Sequence, residues 1–236
     1  MRSDLARRLL AEFLGTGLLV VAVIGSGIAA ARLSPGDIGL ELFENAAATA
    51  GALVALILAF GPVSGAHLNP VVTLADRHFG GITTSRGVAY ITAQVAGGAC
   101  GALVANAMFG LAIIEVSTKT RTGGGLWLGE VVATFGLLLT LFAVVRSGRR
   151  SVVPFAVAAY IGGAYFFTSS TSFANPAVTI ARTLSNTFAG IRPSSVPGFV
   201  LAQVGGLVLA VAAIAVLYPH IGEHAAEMVL PQEAAP

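Results

Sequence analysis

The chain has 236 residues, 56% of them hydrophobic and 10% charged, with a mean hydropathy of +0.85 and a formal net charge of +2. A soluble domain carries roughly 25% charged residues, so this chain holds too little charge to cover a water-facing surface and reads as a membrane protein. The small net charge and the lack of a basic run exclude a nucleic-acid partner, and a single cysteine, Cys100, excludes an internal disulfide.

The first stretch, "MRSDLARRLLAEFLGTGLLVVAVIGSGIAAARL", begins basic and ends Ala-rich, as a signal peptide does. Its apolar part, 9–31, has the length of a membrane span rather than the 7–15 residues of a signal core, so it reads as a retained helix. Further spans are predicted over 39–61, 87–114, 126–146, 152–168 and 197–218, which makes six. Two apolar pieces, 66–76 and 173–185, are too short to cross a bilayer. The links between these segments are short and polar. Arg2, Arg7, Arg8, Arg77, Arg86, Arg146, Arg149 and Arg150 fall on one side of the membrane. Arg32, Lys119, Arg121, Arg182 and Arg192 fall on the other. Basic residues concentrate on the cytoplasmic side, so both termini are expected in the cytoplasm, with the chain in the inner (plasma) membrane.

The sequence also repeats itself. "AEFLGTGLL" resembles "GEVVATFGLL", pairing Glu12 with Glu130, and "TAQVAGGACGALVA" resembles "LAQVGGLVLAVAA", pairing Gln94 with Gln203. Each half carries three spans, an odd number, so the halves enter the membrane from opposite sides as an inverted repeat. The predicted fold is all-α: one domain over 1–236, with repeats at 1–114 and 126–218 and a short cytoplasmic tail at 219–236.

Each short piece carries a near-copy of one motif, "SGAHLNPVVTLAD" and "SFANPAVTIAR". Asparagine caps a helix well, and proline suits its first turn. Asn69-Pro70 and Asn175-Pro176 therefore start half-helices of about two turns, re-entering from opposite faces. Irregular backbone at membrane depth is tolerated where it lines a wet cavity. Two half-helix N-termini facing each other repel cations, and two asparagine amides remain to donate to a neutral, oxygen-bearing solute. The backbone before each asparagine, 65–68 and 171–174, would supply carbonyl acceptors.

Six helices, two half-helices and doubled Asn-Pro-Ala-like signatures resemble the aquaporin, or major intrinsic protein, family of water and small-solute channels. The likeness covers roughly residues 8–218 and includes "AEFLGT", "SGAHLNPVVTLA" and "NPA" at 175–177, with Val71 in place of the usual alanine. The resemblance implies a homotetramer in the lipid bilayer with one pore per subunit, conducting small neutral solutes and water without a cofactor or metal. It also implies a four-residue constriction outside the asparagine pair. Two members are Ser172 and Val178, and counting without gaps gives Thr49 and Gly163. Family members usually carry arginine where this chain has Val178, so a wide filter is expected. Polyols or neutral metalloid hydroxides such as arsenous acid then become candidate solutes. Bacterial members without the filter arginine include some associated with arsenic resistance, and "NPAVTIAR" resembles them.

Arg182, four residues beyond Val178, reads either as an outer-vestibule cation or as a plain surface arginine. Glu12 and Glu130 are expected to brace the re-entrant loops, and His67 to position its own loop. Gly97, Gly98, Gly101, Gly205 and Gly206 suit close helix packing. "HIGEH", His220 to His224, matches a zinc-protease spelling but lacks a further ligand and reads as a solvated helix end. Two alternatives stand beside the wide pore. One is a water-selective channel. The other is a proton-coupled secondary transporter using Glu12 and Glu130 as intramembrane acids.

Overall fold

In the computed structural model, the backbone is described over residues 2–219 and side chains from Asp4 onward; the His220–His224 stretch and the rest of the expected tail lie outside the described residues. Eight α-helices are present among them. Helices α1 (Arg2–Leu33), α2 (Ile38–Ser64), α3 (Pro70–Phe79) and α4 (Thr84–Met108) form the first half. Helices α5 (Gly124–Arg146), α6 (Val153–Phe167), α7 (Pro176–Ala181) and α8 (Val196–Leu217) form the second half in the same order. Six segments, one containing each helix except α3 and α7, are long and apolar enough to cross a membrane.

Local chemistry sets the boundaries. The Asp37 carboxylate accepts from the Leu40 N–H and opens α2, while Gly65 closes it at a φ of 88°, where a side chain would be strained. Asn69 and Asn175 cap α3 and α7 from extended backbone, each with proline in the first turn. The third span ends earlier than hydropathy predicts. The Asn106 amide donates to the carbonyls of Ile113 and Leu184, and Gly110 turns at a φ of 69° just after the helix. Residues 111–123 then leave helical structure and bond to the segment after α7, through Ser117 N–H to Thr183 O and Arg192 N–H to Lys119 O. Leu111, Ile113 and Ile114 carry the hydropathy forward without carrying the helix.

Small residues let the helices meet at backbone distance. A Cβ on Gly97 would lie 2.1 Å from the Phe13 carbonyl oxygen, and one on Gly101 would lie 2.2 Å from that of Gly17. The second half repeats this crossing of α1 and α4 between α5 and α8, where a Cβ on Gly206 would lie 2.6 Å from the Val131 carbonyl. Gly205 has no such need, since its nearest neighbour would be Val131 Cγ2 at 3.7 Å. Large side chains such as Leu10, Leu14, Leu18, Leu201 and Val208 stay exposed on outward faces, as expected where lipid, not water, is the solvent. Val20, Ile24, Leu138 and Phe142 are fully buried between the halves.

Candidate functional site

The half-helices meet through their caps. Asn69 Nδ2 donates to the Ala174 carbonyl, and Asn175 Nδ2 donates to the Leu68 carbonyl, both at 2.8 Å. Each asparagine oxygen accepts from its own helix start: Val71 N–H for Asn69, and Ala177 and Val178 N–H for Asn175. Each Nδ2 carries two hydrogens, so after its bond to the other half one donor per asparagine remains.

Behind each loop sits a fully buried glutamate. Glu12 accepts from Ser64 Oγ, the backbone N–H groups of His67 and Leu68, and Gln94 Nε2, at 2.6–3.0 Å. Glu130 accepts from the N–H groups of Phe173 and Ala174 and from Gln203 Nε2, at 2.6–2.9 Å. The glutamines also donate to Thr73 and Thr179, whose hydroxyls cap back onto the asparagine carbonyls. These carboxylates hold unusual backbone: Ala66, Leu68, Thr171, Ser172 and Ala174 have φ between 46° and 63°. A non-glycine residue pays roughly 1–2 kcal/mol for that conformation. Pulling the N–H groups back to a carboxylate turns the opposing carbonyls toward the cavity.

That cavity, about 380 Å³, runs from Arg150 and Pro154 past Asn69 and Asn175 to Ser172 and Arg182. Thr49, Ser172 and Val178 line it, as do His67 and both asparagines; Glu12 and Glu130 do not. Gly163 does not line it either. It sits on an exposed face of α6, and Tyr165 takes the cavity-facing position, its hydroxyl 3.2 Å from Thr49 Oγ1. Two residues along an α-helix turn by about 200°, so the gap-free count from the motif landed on the opposite face.

Arg182 is neither a surface arginine nor a solvated one. It is 3% exposed, its Nε donates to the Ala189 carbonyl, and its guanidinium carbon lies 3.4 Å from the centre of the Phe173 ring. The Arg121 guanidinium approaches the same ring at 5.1 Å and is held by the Gly190 carbonyl. Burial pushes the Arg121 guanidinium down to about 10, still charged at neutral pH. In the first half, His67 Nδ1 lies 3.1 Å from Thr73 Oγ1 and its Nε2 lies 3.5 Å from Asp76 Oδ2.

The family profile described as Major intrinsic protein matches residues 1–172. Aquaglyceroporin AqpS of Rhizobium meliloti (strain 1021) is 51% identical over 209 residues, 89% of each chain. Aquaporin TIP1-1 of Arabidopsis thaliana is 33% identical over 178 residues, 68% of this chain and 67% of the relative. The chain belongs to the major intrinsic protein family. It is a membrane channel and not an enzyme. An X-ray structure of the aquaglyceroporin from Plasmodium falciparum shares the fold with a TM-score of 0.67, at 21% identity, over 92% of this chain and 98% of that one.

Within this major intrinsic protein, Tyr165, Phe173, Asp76 and Arg121 join the site without having been singled out in the sequence. Phe173 and Asp76 were visible inside the quoted motifs, since each lies within a turn or two of its asparagine. Tyr165 and Arg121 were not visible, because only the tertiary fold brings α6 to the cavity and Arg121 to the Phe173 ring behind it.

Proposed function

We propose that this channel passes small uncharged, hydroxylated solutes, polyols or neutral metalloid hydroxides, with water passing as well. The observation that carries the reading is the reciprocal asparagine pair. Two half-helix starts, cross-bonded through Leu68 and Ala174, leave one amide donor each on a cavity of about 380 Å³. Facing N-termini disfavour cations, and fixed donors beside inward carbonyls replace the hydration of a neutral solute. Val178, in the cavity lining, presents methyl groups where an arginine would narrow the passage. The name of the 51% identical relative, an aquaglyceroporin, accords with a solute wider than water.

Against proton coupling stands the saturation of both acids. Glu12 accepts four hydrogen bonds and Glu130 three, and neither touches the cavity. A carboxylate so occupied is a brace. By the basic-residue bias both termini face the cytoplasm, with the protein in the inner membrane, and subunits assemble as tetramers with one pore each. Stopped-flow swelling of reconstituted vesicles in glycerol, urea and arsenous acid gradients tests the reading. Solute flux several times that of empty vesicles and unaffected by proton or sodium gradients is expected; water flux alone would establish the water-selective alternative.

A further inference from the structure

Resting on the pore reading above, we propose that Arg182 forms the cationic, selectivity-setting wall of this channel, reaching the constriction from one helical turn beyond Val178. Arg182 ends α7, yet it lines the same cavity as Thr49, Tyr165, Ser172 and Val178. Two contacts fold it back: the Ala189 carbonyl takes its Nε hydrogen, and the guanidinium carbon sits over the Phe173 ring. Phe173 is the chain neighbour of Ser172, so the charge is delivered beside that part of the cavity lining.

The charge has no ion-pair partner in contact. No carboxylate lies within salt-bridge distance of Arg182 among the described residues, and Glu130 attracts it only from beyond that distance. Arg121, against the same ring, has the same sign. The ring face stabilises a guanidinium but does not neutralise it. The Nη groups, carrying four hydrogens, bond to no described residue. Ser172 Oγ is also buried and without a partner, and its residue lines the same cavity as the Thr49–Tyr165 hydroxyl pair. A buried cation and a buried hydroxyl left open are costly unless something in the cavity completes them. What completes them is a passing molecule with oxygen lone pairs. The wall therefore suits neutral, oxygen-rich solutes and repels cations of similar size.

The equivalent position in the first half supports this. Asp76 stands seven residues after Asn69, as Arg182 stands seven after Asn175, but Asp76 lies against His67 and does not line the cavity. Only the second half presents its charge to the pore.

The experiment compares Arg182→Gln and Arg182→Lys with the parent protein in vesicles, measuring glycerol and methylammonium permeability relative to water. Arg182→Gln is expected to raise methylammonium permeation by about tenfold or more, since one full charge beside the path is removed. Arg182→Lys should keep cations out and lower glycerol flux, because an ammonium offers a point charge in place of a planar fork. A folded, monodisperse Arg182→Gln protein that excludes methylammonium as before overturns the proposal. Should that variant not fold, Ser172→Cys in a Cys100→Ala background reads the field with Arg182 intact. An anionic methanethiosulfonate should then react about tenfold faster than a cationic one, after correction for their rates with free thiol. Equal rates, or no reaction with either, overturn the proposal. If the parent protein passes no solute, the pore reading fails while this labelling still reports the charge.

Discussion

Replacing Glu130 by glutamine changes one atom and reverses the role of half a side chain. The carboxylate accepts from Phe173 N–H on one oxygen, and from Ala174 N–H and Gln203 Nε2 on the other. An amide keeps one acceptor and gains two donors. Its oxygen can serve Phe173, but its NH₂ then faces the Ala174 N–H, donor against donor. Gln203 can turn over and accept, since its Oε1 has no partner in the native arrangement, but it then surrenders its bond to Thr179.

At least one buried backbone N–H is therefore stranded, which costs about 1–3 kcal/mol. The surviving bonds also lose charge assistance, roughly a further 1–2 kcal/mol, offset in part by relief of a buried charge. We expect a net loss of about 2–4 kcal/mol in reversible unfolding from mixed micelles. Ala174, held at a φ of 46°, is the residue most free to relax. Its carbonyl anchors Asn69, so solute flux should fall along with stability. Parent and variant should both ignore an imposed proton gradient. Unchanged stability, within about 0.5 kcal/mol, together with a proton-driven flux lost in Glu130→Gln, would show that the carboxylate titrates instead of bracing.

Asn175→Leu removes the bond to Leu68 and both cap bonds to α7, costing about 1 kcal/mol or more, and should abolish solute swelling while the protein still inserts. Gly101→Val forces a side chain onto the Gly17 carbonyl and should prevent recovery of folded protein, whereas Gly205→Ala, in ordinary contact distance of Val131, should leave the thermal midpoint within about 2 °C. Val178→Arg should cut glycerol and arsenous acid permeability far more than water permeability; an equal fall in all three would remove Val178 from the filter.

Much of the architecture is legible because it is written in local signals. Six long apolar runs, Asn-Pro caps and two odd-numbered halves need no knowledge of tertiary contacts. Repetition helped, since Glu12 and Gln94 became interpretable once Glu130 and Gln203 appeared in matching places. What escaped depends on through-space neighbours. Hydropathy could not end α4 at Met108, because the bonds from Asn106 to Ile113 and Leu184 that stop it are made to an extended segment and a distant loop. Counting does not place α6, which is 15 residues long against 27 for α2, so equivalent positions drift and the cavity-facing residue is Tyr165, two beyond Gly163. Arg182 looked solvent-bound because nothing in its own helix says that Ala189 and Phe173 will cover it.

The inverted repeat also separates what the fold needs from what the pore uses. Glutamate, glutamine, threonine and asparagine agree between halves and make matching bonds, apart from the added Ser64 hydroxyl on Glu12 and the second N–H on Asn175. Two positions break the rule together. Two residues before the asparagine stand His67 and Phe173, and seven after it stand Asp76 and Arg182. Each pair makes contact within its own half, at 3.5 Å between His67 Nε2 and Asp76 Oδ2 and at 3.4 Å from Arg182 to the Phe173 ring. One backbone geometry thus supports an acid set against a ring that can carry a proton, and a cation set against a ring that cannot. The first arrangement can balance its charge internally. The second sets its charge on the cavity, so symmetry of backbone coexists with opposite charge arrangements in the two halves.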